Sequence, residues 1–140
     1  MCERSVLRLL RKTYPSIYEE LTRRPSLLDL DRIDDLLDEF CRVKGFERSD
    51  VYKNREQSRM VFITIAVKAY DPMFFVDHDK ALMRQGLREK LSETLYCHKT
   101  QISHTLSTVR TYLRVYKSFR EEVDYIYSKT VNQIIDESKN

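Results

Sequence analysis

Few side chains in this sequence are placed to do covalent or metal chemistry. The candidates are three histidines, His78, His98 and His104, and three cysteines, Cys2, Cys41 and Cys97. Cys97 and His98 are sequence neighbours, so their side chains point apart, and no Cys-x-x-Cys or His-x-x-x-His pair completes a set of four ligands. A Cys/His nucleophilic pair needs an oriented thiolate in a cleft, which one cysteine near one histidine does not supply. Asp34 and Asp38 are four residues apart on one helical face, where solvation is the usual fate of paired carboxylates. The only glycines are Gly45 and Gly86, far apart, so there is no Gly-x-x-x-x-Gly-Lys cradle for a nucleotide. The expectation is a noncatalytic chain with no metal, nucleotide or other cofactor.

Charge is more informative than reactivity. The formal net charge is only +3, but it is unevenly spread. From Leu27 to Phe40 the chain carries Asp29, Asp31, Asp34, Asp35, Asp38 and Glu39 against Arg32 alone. From Tyr96 to Arg120 it has no Asp or Glu, while Lys99, Arg110, Arg114, Lys117 and Arg120 are present beside His98 and His104. A segment without carboxylates in a chain so acidic elsewhere has the footprint of a polyanion site, or of a plain solvated helix face.

The elements that must position these residues are helical. With 140 residues, Gly 2, Pro 3 and 34% charged residues, the chain is long enough for one core and too poor in glycine for a sandwich or a Rossmann turn. The longest apolar run, Val61 to Val67, is far short of the roughly 20 residues of a membrane span. The charged N-terminus does not read as a signal peptide, and the odd, widely spaced cysteines fit a reducing compartment, so a cytoplasmic location is expected.

Apolar residues at three- and four-residue spacing predict two short helices across Met1 to Thr22, broken near Pro15. Their stripe must be covered either by the rest of the chain or by a second copy in a homodimer. Leu27, Leu30, Ile33, Leu36, Leu37 and Phe40 form the next stripe, stopped by Gly45. Ser49 or Asp50 caps a helix running through Arg59 and Met60 to Tyr70. Val61, Ile63, Thr64, Ile65 and Val67 are β-branched and would suit a strand, but a lone strand has no partner here, so a helix buried nearly all round is expected. Asp71 and Pro72 end it, and Met73 to Asp79 form a loop. A short helix through Leu82, Leu87, Leu91 and Leu95 follows, then a turn at Tyr96 to His98. From Lys99, a helix places Ile102, Leu106, Val109, Leu113 and Tyr116 inward and Thr100, His104, Ser107, Thr111 and Arg114 outward. A last helix buries Phe119, Val123, Ile126, Tyr127, Val131 and Ile134, with a frayed tail from Asp136. Tyr112, Tyr116 and Tyr127 read as core.

A short helix, a tight turn and a second helix with a polar first turn and a basic flank is the layout of a helix-turn-helix. Its first turn must carry residues that reach bases, and its flank residues that meet phosphates. The segment His98-Lys99-Thr100-Gln101-Ile102-Ser103-His104 resembles the signature Asp-His-(Ser/Thr)-Thr-Val-x-His of the C-terminal DNA-binding domain of the bacterial replication initiator DnaA. Thr100, Ile102 and His104 fit; Gln101, Lys99 and His98 stand where the family has threonine, histidine and aspartate, and Ser92 where it has glycine. Ser58-Arg59-Met60-Val61 resembles the family's Ala-Arg-Gln-Ile, which opens a long buried helix, and Lys53, Asn54 and Arg55 occupy the place of its basic loop.

The resemblance runs from about Leu27 to Tyr127 and implies an all-α, Trp-repressor-like helix-turn-helix domain over 25–140, with 1–24 as a helical extension and no ATPase module. It implies double-stranded DNA as partner, with His98, Lys99, Thr100, Gln101 and His104 at the bases and Lys53, Arg55, Arg59, Arg110, Arg114 and Lys117 at the phosphates. The rival reading is a helix-turn-helix kept as a protein-interaction module, using the acidic Leu27 to Phe40 helix or the N-terminal helices to bind a protein partner.

Overall fold

The computed structural model describes residues 29–54, 56–75 and 83–139, together with 9, 12 and 13. Every regular element among them is helical, with no strand. A 3-10 turn, Leu30–Arg32, leads into α1 (Ile33–Lys44); a π-helical turn, Asp50–Asn54, precedes α2 (Glu56–Tyr70); then come α3 (Leu87–Leu95), α4 (Lys99–Val115) and α5 (Lys117–Lys139). Most of the 1–24 extension lies outside the described residues, and 9, 12 and 13 are helical. None of the described helices is long and apolar enough to cross a membrane.

α1 follows its stripe. Asp29 Oδ1 accepts the Asp31 N–H at 2.9 Å, capping the entry, and Ile33, Leu36, Leu37, Phe40 and Cys41 are buried. Gly45, at φ 72°, ends the helix, and the Phe46 N–H returns to the Cys41 carbonyl at 2.9 Å in a Schellman closure. Both glycines of the chain sit at positive φ; Gly86, at 86°, opens α3.

α2 is the contested stretch, and it is a helix. Met60 to Val67, Ala69 and Tyr70 are all buried. β-branched residues cost a helix about 0.5 kcal/mol each relative to alanine, whereas burying a Val, Ile or Phe side chain returns about 1.5–3 kcal/mol. Burial decides. Thr64, fully enclosed, donates its hydroxyl to the Met60 carbonyl at 2.7 Å, so its polar atom is satisfied within the helix. α2 packs against α1, α3, α4, α5 and the π turn.

Its entry differs from expectation, while its exit falls at Asp71 as expected. Asp50 does not cap α2 directly; its Oδ2 accepts the Glu47 N–H at 3.0 Å, the reaching-back half of a capping box that starts the preceding turn. At the exit, Asp71 is buried, and its Oδ2 accepts the Arg84 backbone N–H at 2.8 Å. Arg84 in turn lies over the Tyr70 ring at 5.6 Å. Tyr70 donates its hydroxyl to the Asp29 carbonyl at 2.9 Å, and burial, its main influence, keeps the phenol protonated well above its ordinary range. The end of α2 therefore clasps both the start of the described core and the chain leading to α3.

Two further expectations are corrected. Tyr116 is not core: α4 ends at Val115, Tyr116 turns to an extended φ of −107° and ψ of 106°, and the ring is 49% exposed. Arg120 covers this break, donating Nη1 to the carbonyls of Leu113 at 2.8 Å and Arg114 at 3.1 Å, a cationic cap on helix-end carbonyls. α5 continues past Asp136 to Lys139, and no Gly or Pro interrupts it. Leu82 and the 76–82 segment fall outside the described residues.

Replacing Asp71 by Ala should destabilise the chain by about 1–3 kcal/mol, because the Arg84 N–H loses its acceptor, while Asp71→Asn, which keeps an oxygen, should cost less. Urea unfolding measures both; an unchanged midpoint for Asp71→Ala would show that the clasp contributes nothing.

Candidate nucleic-acid interface

α3, the turn 96–98 and α4 form two helices joined by a short connection, and α4 supplies the face of interest. Ile102, Leu106 and Val109 are buried, and this inward row fixes the opposite row outward. Thr100, His104, Ser107, Thr111 and Arg114 are all exposed, as expected from the helical period. At 1.5 Å per residue this helix is about 25 Å long, and it carries no carboxylate.

His98 positions the start of that helix. It is the N-cap residue, at φ −76° and ψ 148°, and its Nδ1 accepts the Thr100 N–H at 3.1 Å. Because a backbone N–H is always a donor, this geometry assigns the ring proton to Nε2, leaving a donor on an exposed side chain. Thr100 Oγ1 lies 3.0 Å from the same Nδ1. Lys99 is exposed, with Nζ 3.6 Å from Glu89 Oε1 across the turn. A hydrogen bond from its own backbone N–H, ahead of the Lys99 charge, holds the Glu89 carboxyl below the usual carboxylate range. Exposed pairs of this kind hold each other weakly, so Lys99 is free to exchange partners. Gln101 is exposed beside it.

The residues expected at phosphates divide. Arg114 is exposed, and Lys117, 80% exposed in its side chain, reaches Glu121 only at 3.6 Å. Arg110 is half-buried, with its guanidinium 4.4 Å from the Phe74 ring centre and Nη2 donating to the Phe74 carbonyl at 3.5 Å. It covers the aromatic loop after α2. Arg59 is likewise half-buried and acts on Cys97 in the turn. Burial raises the Cys97 thiol above its ordinary range and outweighs the Arg59 guanidinium, so the thiol stays protonated. Arg59 Nε is buried without a hydrogen-bond partner among the described residues. The Lys53 side chain and Arg55 lie outside the described residues, as does His78; the Lys53 backbone belongs to the π turn.

The acidic α1 surface is not bare. Arg48 Nε donates to Asp38 at 2.8 Å, the chief reason its guanidinium is held deeper in the charged range, and Nη1 comes within 3.8 Å of Asp34. Lys90 of α3 lies 3.5 Å from Asp31 and 3.9 Å from Asp34, and Arg32 and Arg42 pair with Asp35 and Glu39. At the far end of α4 a cleft of about 410 Å³ is lined by Gln57, Tyr112, Tyr116, Ser118, Phe119 and Glu122, with Glu122 bound to Lys44 at 2.9 Å.

One residue of this region was not anticipated. Tyr96, between α3 and α4, stands at φ 52° and ψ 46°, the left-handed region that costs a non-glycine residue about 1–2 kcal/mol, and it is 79% exposed. The available signal was a short turn after Leu95 with no Gly or Asn to make it.

Compared with protein-family profiles, with curated proteins and with solved structures, the chain matches none.

Because an imidazole caps less well than a carboxylate and does not complement the helix dipole, His98→Asp should raise stability by about 0.5–1 kcal/mol. Thermal unfolding tests this; a lower Tm for the aspartate variant would mean that the ring holds the turn in some other way.

Proposed function

We propose that the chain is a noncatalytic duplex-DNA-binding protein in which α3 and α4 act as a helix-turn-helix of the DnaA C-terminal-domain type, with α4 entering the major groove. The observation that supports this most is the outer face of α4. Over the length of a recognition helix it is exposed, small or hydrogen-bonding, and free of carboxylates, with Lys99, Thr100 and Gln101 in the first turn and Arg114 and Lys117 beyond. Lysine in the first turn reaches guanine O6 and N7, and glutamine bonds adenine through N6 and N7. His104 lies one turn further on, with His98 holding the helix start beside them.

The phosphate set in this reading is Lys53, Arg55, Arg114 and Lys117, because Arg110 is engaged on Phe74 and Arg59 is half-buried. The mechanism is positional: phosphate contacts set the register, and a few hydrogen bonds at the start of α4 choose the sequence. The acids of α1, largely met by Arg48, Lys90, Arg32 and Arg42, offer less to a basic protein partner than their number suggests.

Selection of bound fragments from random duplex DNA tests the reading. A motif should emerge, and log K against log salt should fall with a slope of about −4, at 0.9 per neutralised phosphate. Failure to enrich any duplex would transfer the chain to the protein-interaction class. On the selected site, Lys99→Ala should cost about 1–3 kcal/mol and much less on unrelated duplex. An equal loss on both would make Lys99 a phosphate contact and remove it from base reading.

A further inference from the structure

The turn between α3 and α4 is built against its own stability, and the residue responsible is exposed. α3 ends in a Schellman closure, with the Cys97 N–H on the Ser92 carbonyl at 3.1 Å and Tyr96 in the left-handed position. The same closure at the end of α1 uses Gly45, at φ 72° and ψ 30°. The chain thus gives this backbone conformation to glycine in one place and to tyrosine in the other. Tyr96 gains little burial in return: it is 79% exposed, more than any other large apolar or aromatic side chain described. Its one ring contact among the described residues is the edge of Tyr52, at 5.1 Å between centroids and 89° between planes, and its hydroxyl has no partner among them.

The position of Tyr96 supplies the reason for keeping such a residue. It lies two residues before the His98 cap of α4, and through Tyr52 it adjoins the π turn that carries Lys53. In a helix-turn-helix the first helix crosses the DNA backbone and the second enters the groove, so the turn between them lies over the edge of a strand. Tyrosine is among the side chains that donate to phosphate oxygens there.

We propose that Tyr96 is a DNA-backbone contact, its phenolic O–H donating to a phosphate at the rim of the groove and its ring resting on the adjoining deoxyribose. This rests on the reading of α4 as the recognition helix. The contact is neutral and independent of sequence, and it joins the Lys53 segment and the start of α4 into one strip along a single strand.

The experiment uses the full chain with Tyr96→Phe and Tyr96→Gly, measuring Tm and affinity for a duplex selected by the wild type and for an unrelated one, each over a range of salt. Tyr96→Gly should melt higher, because the left-handed strain is relieved, and yet bind both duplexes about tenfold more weakly. Tyr96→Phe should keep the wild-type Tm and bind both about fivefold more weakly, which is about 1 kcal/mol for one solvent-exposed hydrogen bond. The salt slope should be unchanged in both, since no cation is removed. A Tyr96→Gly variant that melts higher and binds normally overturns the contact while leaving the recognition helix intact. If Tyr96→Gly melts lower, the ring is structural, and normal binding by Tyr96→Phe then overturns the contact as well. A wild type that binds no duplex overturns both readings and leaves the exposed ring to a protein partner.

Discussion

A helix buried nearly all round forces everything about it into place, and from Met60 onward α2 is such a helix. Its buried residues run without a gap from Met60 to Val67 and resume at Ala69 and Tyr70. Only Lys68 breaks the run, and it escapes sideways, paired with Asp124 at 2.9 Å and lying 5.0 Å from the Tyr127 ring centre. An apolar cylinder of this kind must be wrapped on every side, and α1, α3, α4, α5 and the π turn do so. The outer face of α4 follows from that wrapping. Ile102, Leu106 and Val109 are drawn inward, and the 100° step of the helix leaves Thr100, His104 and Arg114 outside.

The same constraint divides the cations. An arginine near the α2 surface is drawn into covering it, because its long stem lies along apolar surface and its planar head stacks on rings. Arg110 does this over Phe74 and Arg84 does it over Tyr70. A stacked guanidinium is worth about 0.5–2 kcal/mol, which is comparable with what one surface phosphate contact would return, so these residues have no reason to leave. Arg114 and Lys117 flank the point where α4 ends and the chain turns into α5. There the wrapping has finished, and both side chains are exposed.

The stripes of α1, α4 and α5 were legible because helical spacing alone decides which residues face inward. Gly45 and Asp71 were legible as stops for local reasons, a left-handed requirement and a helix breaker. What could not be read is non-local. Arg110 meets Phe74 across 36 residues, and Asp71 meets Arg84 across 13, so no spacing rule marks either arginine as occupied. Tyr116 was misplaced because its inward position assumed one more helical residue than α4 has, and Arg120, which caps that early end, looked like one more cation of the strip. The candidate site is accordingly divided: its outward row was visible in the helical period, while Arg110 lies against the aromatic loop after α2.

The turn at 96–98 is the place where local preference and observed residue disagree twice in succession. Left-handed closure favours glycine, and a helix start favours a short oxygen-bearing side chain. The chain uses Gly45 for the first at the end of α1 and Asp29 for the second at the start of the 3-10 turn that leads into α1. In the turn before α4 it places Tyr96 and His98 instead. A connector with no other task would gain from the solutions used at α1. What the turn gains from the residues it has is outward chemistry: a phenolic hydroxyl, and an imidazole whose Nδ1 is committed to the cap and whose proton therefore sits on Nε2. Gly45 and Asp29 offer no such donor. The cost to stability and the presence of exposed donors fall on the same two residues, and those residues border a long helical face that carries no carboxylate.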